Sequence, residues 1–172
     1  MVKLYAVYTG LCRRQRGFLL MEAAMQIVLG TIVTCILLTA INNFCSSSSK
    51  LATEIQLQDA SRHILLQLEK NIGYIAMNIR LQNESKIICT TLNANKQLTI
   101  YPEKHGLYQN TRTGRGSGIN PLSIEGINVE DWNIKQVSER ELLIKFKLSK
   151  NGVTREFSHI QYCYNARITS DG

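Results

Sequence analysis

The chain has 172 residues, of which 44% are hydrophobic and 19% charged, with a formal net charge of +7. Its apolar content excludes a disordered acidic or polar tail, which lacks the material for a core, and two prolines with eleven glycines exclude a collagen-like or linker-like chain. A positive balance invites a nucleic-acid reading, but Lys3, Arg13, Arg14 and Arg16 supply four of the seven excess positives, with no acid among them.

The first element is an apolar run at residues 18–41, and residues 23–49 contain no charged side chain. About 20 apolar residues in a helix cross a bilayer core, so this run reads as a membrane span. Arg13, Arg14 and Arg16 stand directly before it and no comparable cluster follows directly. Positive residues stay on the cytoplasmic side, so the C-terminal part is expected outside the cytoplasm. A secretory signal peptide is the competing reading. Its apolar core is about 7–15 residues and ends at a small-residue site such as A-x-A. Here the run is longer, and Ile41-Asn42-Asn43-Phe44 follows it.

Glu22 lies inside the run, one helical turn from Phe18. A carboxylate at depth in a bilayer costs several kcal/mol, and an intramembrane ionisable residue points to function. Near the interface it can instead snorkel to water. A plain membrane anchor leaves it unexplained.

A charged leader, a glycine, a hydrophobic residue, a glutamate and an unbroken apolar helix follow one another here as Arg16-Gly17-Phe18-Leu19-Leu20-Met21-Glu22. This order resembles the prepilin processing motif of the type IV pilin family, which includes pilins and the pseudopilins of type II secretion and competence. The resemblance covers some thirty residues. It implies cleavage after Gly17 by a prepilin peptidase, N-methylation of the new amine on Phe18, and assembly through the N-terminal helix with other pilin or pseudopilin subunits at an inner-membrane platform. The physics agrees with it. A glycine lets the backbone approach a catalytic site closely. Cleavage would leave a cationic amine facing an apolar phase, and Glu22 of a neighbouring subunit could pair with it. Such a pair sets subunit register more than it adds net stability.

Beyond residue 41 comes a polar stretch with four serines, which reads as a linker or as a weak helix between stronger ones. Residues 50–72 place Leu57, Ala60, Ile64, Leu68 and Ile72 at steps of three and four, the signature of one buried helix face. This helix is expected to continue from the span and to end near Gly73. Residues 74–172 read as β-rich. Leu142, Ile144, Phe146 and Leu148 alternate with Leu143, Lys145 and Lys147, the period of a one-face-buried strand. Asn151-Gly152 signals a tight hairpin, which sets Phe146 opposite Phe157 and Lys147 opposite Glu156. Ile160, Tyr162 and Tyr164 reach the core face only after a one-residue shift, so a bulge is expected near Ser158–His159. Ile127, Val129, Trp132 and Ile134 suggest a preceding strand with its own phase shift. A further hairpin is expected from residues 86–91 and 97–101 around residues 92–96.

The expected fold is therefore α+β: a long N-terminal helix packed on one antiparallel sheet of about four or five strands. Its parts are a leader at 1–17, a membrane and polymerisation helix at 18–41, an amphipathic helix at 42–73 and a β-rich exterior part at 74–172.

Residues 102–121, with four glycines, read as an exposed loop. Arg112 and Arg115 in it are candidates for DNA contact, although a solvated, mobile loop is the preferred reading. Cys12 would leave with the leader, Cys35 lies in the span and Cys45 just beyond it. Cys89 and Cys163 fall in exterior strands and are candidates for a bridge in an oxidising compartment. No C-x-x-C, H-E-x-x-H or G-x-S-x-G occurs, so no cofactor, metal or catalytic residue is expected. The expected role is that of a minor pilin or pseudopilin, a structural subunit and not an enzyme. The alternative is a single-pass anchored exterior protein that binds a partner without entering a filament.

Overall fold

The computed structural model describes residues 2–91 and 96–170, and side chains over 18–91 and 96–169. The chain divides into two compact units, Met1–Ser49 and Lys50–Gly172. Helix α1 (Val2–Leu68) contributes to both. The serine run is helical within it, because good helix-forming sequence on both sides carries the helix through once nucleated.

In the first unit every described side chain from Phe18 to Ser49 is exposed. The helix is long and apolar enough to cross a membrane. Its threonines return their hydroxyls to the helix backbone. Thr31 Oγ1 donates to Val28 O at 2.7 Å, Thr34 Oγ1 to Gly30 O at 2.8 Å and Thr39 Oγ1 to Cys35 O at 2.8 Å. Internal satisfaction of this kind is what a helix in lipid requires.

In the second unit α1 runs on to Leu68 and a seven-residue π-helical segment, Glu69–Ile75, follows it. Nine strands come next: β1 (Ala76–Gln82), β2 (Lys86–Thr91), β3 (Lys96–Glu103), β4 (Gly106–Thr113), β5 (Gly116–Pro121), β6 (Asn128–Ser138), β7 (Glu141–Lys150), β8 (Val153–Tyr162) and β9 (Arg167–Ser170). They form a six-stranded sheet in the order β5-β4-β3-β2-β1-β9 and a three-stranded sheet in the order β6-β7-β8. The α+β class stands. The count does not: there are two sheets, and β1 pairs with β9 in parallel. The extra strands carry weak periodic signal. A register shift interrupts β1 between Ala76 and Asn78, β5 is exposed along its whole length, and β9 is four residues long.

Leu57, Ala60, Ile64, Leu68 and Ile72 are fully buried in one core with both sheets, as their spacing predicts. Gly73 acts differently from a helix stop. A Cβ there would come within 2.9 Å of Gln161 Nε2 and 3.2 Å of Tyr162 O, so a side chain is excluded by the close approach of β8. Asn71 Nδ2 donates to Gln109 Oε1 at 2.8 Å, tying the π-helical turn to β4.

The β7–β8 hairpin has the predicted register, with Phe146 opposite Phe157 and Lys147 opposite Glu156. Asn151 and Gly152 both take positive φ, 50° and 75°, as a primed turn demands. The bulge predicted near Ser158–His159 is absent. Pairing runs unbroken from Glu141 with Tyr162 to Lys150 with Val153. Gln161 and Cys163 take the core positions, and Ile160, Tyr162 and Tyr164 stay exposed. The outward tyrosines find each other instead: Tyr164 stacks on Tyr74 at 4.9 Å and meets Tyr162 edge-on at 5.0 Å. The phase shift in β6 is real, a register break between Glu130 and Asn133 with Asp131 at φ 49°. It lets Val129, Trp132 and Ile134 all face the core. β2 and β3 form the expected hairpin, Cys89 opposite Leu98, while residues 92–95 between them lie outside the described residues.

Ile64→Ala should cost about 2–5 kcal/mol, the usual penalty for emptying a filled core site. Ile55→Ala, on the exposed side of the same helix, should stay within about 0.5 kcal/mol. Denaturant unfolding of the full chain in detergent, followed by Trp132 fluorescence, measures both. Equal losses would contradict the docking of this helix face.

Candidate functional site

Gly17, Phe18 and Glu22 all lie within α1. The side chains of the preceding Arg13, Arg14 and Arg16 are outside the described residues. Phe18 is 73% exposed and Glu22 is also exposed. Residues four apart on a helix are neighbours, about 5–6 Å between Cβ atoms, so Phe18 and Glu22 share one face. Glu22 is the one charged residue between Phe18 and Ser49, and no ion pair to it is present among the described residues. Chemically, this is a carboxylate on an apolar surface with room for a cation beside it.

Cys89 and Cys163 are both buried and both are free thiols. Burial pushes the Cys89 thiol up to about 12, and the nearby Cys163 pushes it the same way. Burial pushes Cys163 up to about 11. The fold thus brings the two candidate bridge cysteines into one neighbourhood of the core. Cys35 and Cys45 are exposed free thiols.

The expected loop at 102–121 is mostly a strand hairpin, and of the two arginines Arg112 alone is in a strand. Arg112 sits in β4, opposite Gln97 on β3 and Ser117 on β5, and Arg115 is in the two-residue turn between β4 and β5. The stretch reads as loop because β5, with its alternate glycines, is exposed throughout. Both arginines are exposed. A cleft of about 470 Å³ opens near this sheet between the β3–β4 turn and the segment before β6, with Lys104, His105, Tyr108, Ser123, Glu125 and Asn128 in its wall. Nothing in the sequence brings residues 104–108 beside residues 123–128. Among the described residues no group of three or more His, Cys, Asp or Glu is placed to hold a metal.

No protein-family model, no curated protein and no solved structure matches this chain.

Both core thiols have folded-state values raised above the ordinary 9.0. Their contribution to stability is therefore fully present below pH 9 and is lost as pH rises through 11 and 12. The double variant Cys89→Ala, Cys163→Ala should show a shallower fall in unfolding midpoint over that range than the parent chain. At about pH 8 N-ethylmaleimide should miss both cysteines in the folded chain and label both after unfolding. If unfolding exposes them to label only after a reductant is added, the two are bridged.

Proposed function

We propose that this chain is a filament subunit of the type IV pilin kind, a minor pilin or pseudopilin. In this reading it is inserted in the cytoplasmic membrane with its second unit outside, cut after Gly17, methylated on Phe18 and drawn into a filament by α1. The observation that carries the proposal is Glu22, an exposed carboxylate one turn from Phe18 on an otherwise uncharged apolar helix surface. At bilayer depth that charge costs several kcal/mol and gains nothing for a simple anchor. It becomes useful if a cation is delivered to it. The amine released at Phe18 of an adjacent subunit is such a cation, and the pair sets the axial register between neighbouring helices. The internally bonded threonines along the same helix leave Glu22 as the charged group that still requires a partner.

Co-expression with a prepilin peptidase should remove seventeen residues and leave Phe18 as the new terminus, read by N-terminal sequencing. An intact Met1 terminus beside active peptidase would favour the anchored, unassembled alternative. Glu22→Ala should leave insertion and cleavage within about twofold. Breaking a buried ion pair by removing one partner costs about 3–5 kcal/mol, so recovery of the variant in sheared filaments should drop more than about a hundredfold. Ordinary incorporation would refute the role of this carboxylate.

A further inference from the structure

The outer face of the six-stranded sheet is built from alternate residues of each strand, and its chemistry differs from that of the rest of the surface. One row runs Arg80, Ile88, Thr99, Asn110 and Ile119 across β1 to β5, and the next runs Arg167, Asn78, Thr90, Gln97, Arg112 and Ser117 from β9 to β5. Lys86, paired with Gln82, begins a third row. Arg80, Lys86, Arg112 and Arg167 share this face, where the ladder places one carboxylate among the described residues, Glu103 at one corner; Arg80 already has a partner, so Lys86, Arg112 and Arg167 are the cations that carry the argument. Glu84, in the β1–β2 turn, is turned away and accepts from Asn133 Nδ2 at 3.0 Å. Between the cations stand amides and hydroxyls rather than acids. By contrast, the three-stranded sheet sets its Lys147 against Asp131 at 2.7 Å and its Ser149 against Glu130.

Two tyrosines complete the face. Tyr101 and Tyr108 pair across β3 and β4, half-buried, with ring centroids 6.3 Å apart. The Tyr108 ring occupies the space that a Cβ on Gly106 would need, 2.9 Å from it, so the ring is held along the strand. Tyr108 also lines the cleft that holds Lys104 and His105, opposed there by Glu125. In the middle of the face, Asn110 Oδ1 is closed off and has no hydrogen-bond partner among the described residues.

We propose that this face binds single-stranded nucleic acid, which crosses the strands from Arg167 toward Tyr108 and enters the cleft beside it. The cations supply phosphate contacts, Tyr101 and Tyr108 supply a stacking platform for unpaired bases, and the amides between them supply base-edge hydrogen bonds. Five strand spacings make the face about 24 Å wide, enough for several nucleotides. A duplex fits less well, since its bases cannot reach the rings and the face offers no projecting helix for a groove. An anionic membrane fits less well too, since it needs charge alone and would not use the ring pair or the amides. The face does not depend on the filament reading: a chain that is never cleaved still carries it.

The test uses the full chain in a neutral detergent and a fluorescein-labelled oligothymidylate of about 16 nucleotides, read by anisotropy. Saturable binding is expected, with a log affinity against log salt slope of about −2 for three phosphate contacts on a single strand. Arg112→Ala and Arg167→Ala should each lower that slope by about 0.7. Tyr108→Ala should weaken binding about 5- to 150-fold without altering the slope, and Tyr108→Phe, which keeps the ring and the fold, should bind like the parent. Lys135→Ala, on the other sheet, should change nothing. Absence of saturable binding would overturn the proposal. So would equal losses for Lys135→Ala and Arg112→Ala. It would also fall if vesicles rich in anionic lipid bound as tightly as the oligonucleotide while Tyr108→Ala was silent in both, which would mark the face as a general polyanion or membrane surface.

Discussion

The burial of Leu57, Ala60, Ile64, Leu68 and Ile72 against two sheets is the interaction on which the second unit rests. Neither sheet could otherwise cover its apolar face, because a layer with one greasy side needs a second layer. Each of the five is fully buried. The seam is finished by specific contacts at the helix end. Asn71 reaches Gln109, Gly73 lets β8 come close, and Tyr164 N donates to Gly73 O at 3.0 Å. The Glu54–Arg155 ion pair at 2.8 Å joins the helix to β8. Both side chains are substantially exposed, so it aligns the two elements and adds little to stability.

The two sheets are joined along β6 by backbone rather than by side chains alone. Ile134 N donates to Glu84 O at 2.7 Å and Val129 N to His105 O at 2.8 Å, while Trp132 Nε1 donates to Ser85 O at 2.9 Å. The register break in β6 makes this possible, since it turns Trp132 inward without losing Val129 or Ile134 from the core. The aromatic column Trp132, Phe146 and Phe157, at 5.8 and 5.5 Å, then fills the three-stranded sheet. His105, whose carbonyl accepts from Val129 N in this seam, also lines the cleft.

The first unit presents a surface suited to a different solvent. Its side chains from Phe18 to Ser49 are exposed and nearly all uncharged, a surface that water disfavours and hydrocarbon accepts. On such a surface a single carboxylate is conspicuous, and Glu22 carries the proposed assembly role for that reason. In the second unit the groups proposed to bind are several and individually ordinary. Lys86, Arg112, Arg167 and Tyr108 are brought together by the pleat that sends them to one side.

Helices with strong periodicity were legible without coordinates, because the steps that bury Leu57 through Ile72 are local. So were the Asn151-Gly152 turn and the strand holding Phe146, which rest on a two-residue conformation and a period of two. The β8 bulge was misjudged because hydrophobicity suggested an inward Ile160, whereas ten unbroken ladder pairs and the tyrosine stack outweigh it. Only the tertiary structure could reveal β5 and β9, the parallel pairing with β1, the meeting of Cys89 with Cys163 and the basic outer face. Each joins residues far apart in the chain through pairing partners that no local pattern names, and edge strands carry too little burial to leave a period behind.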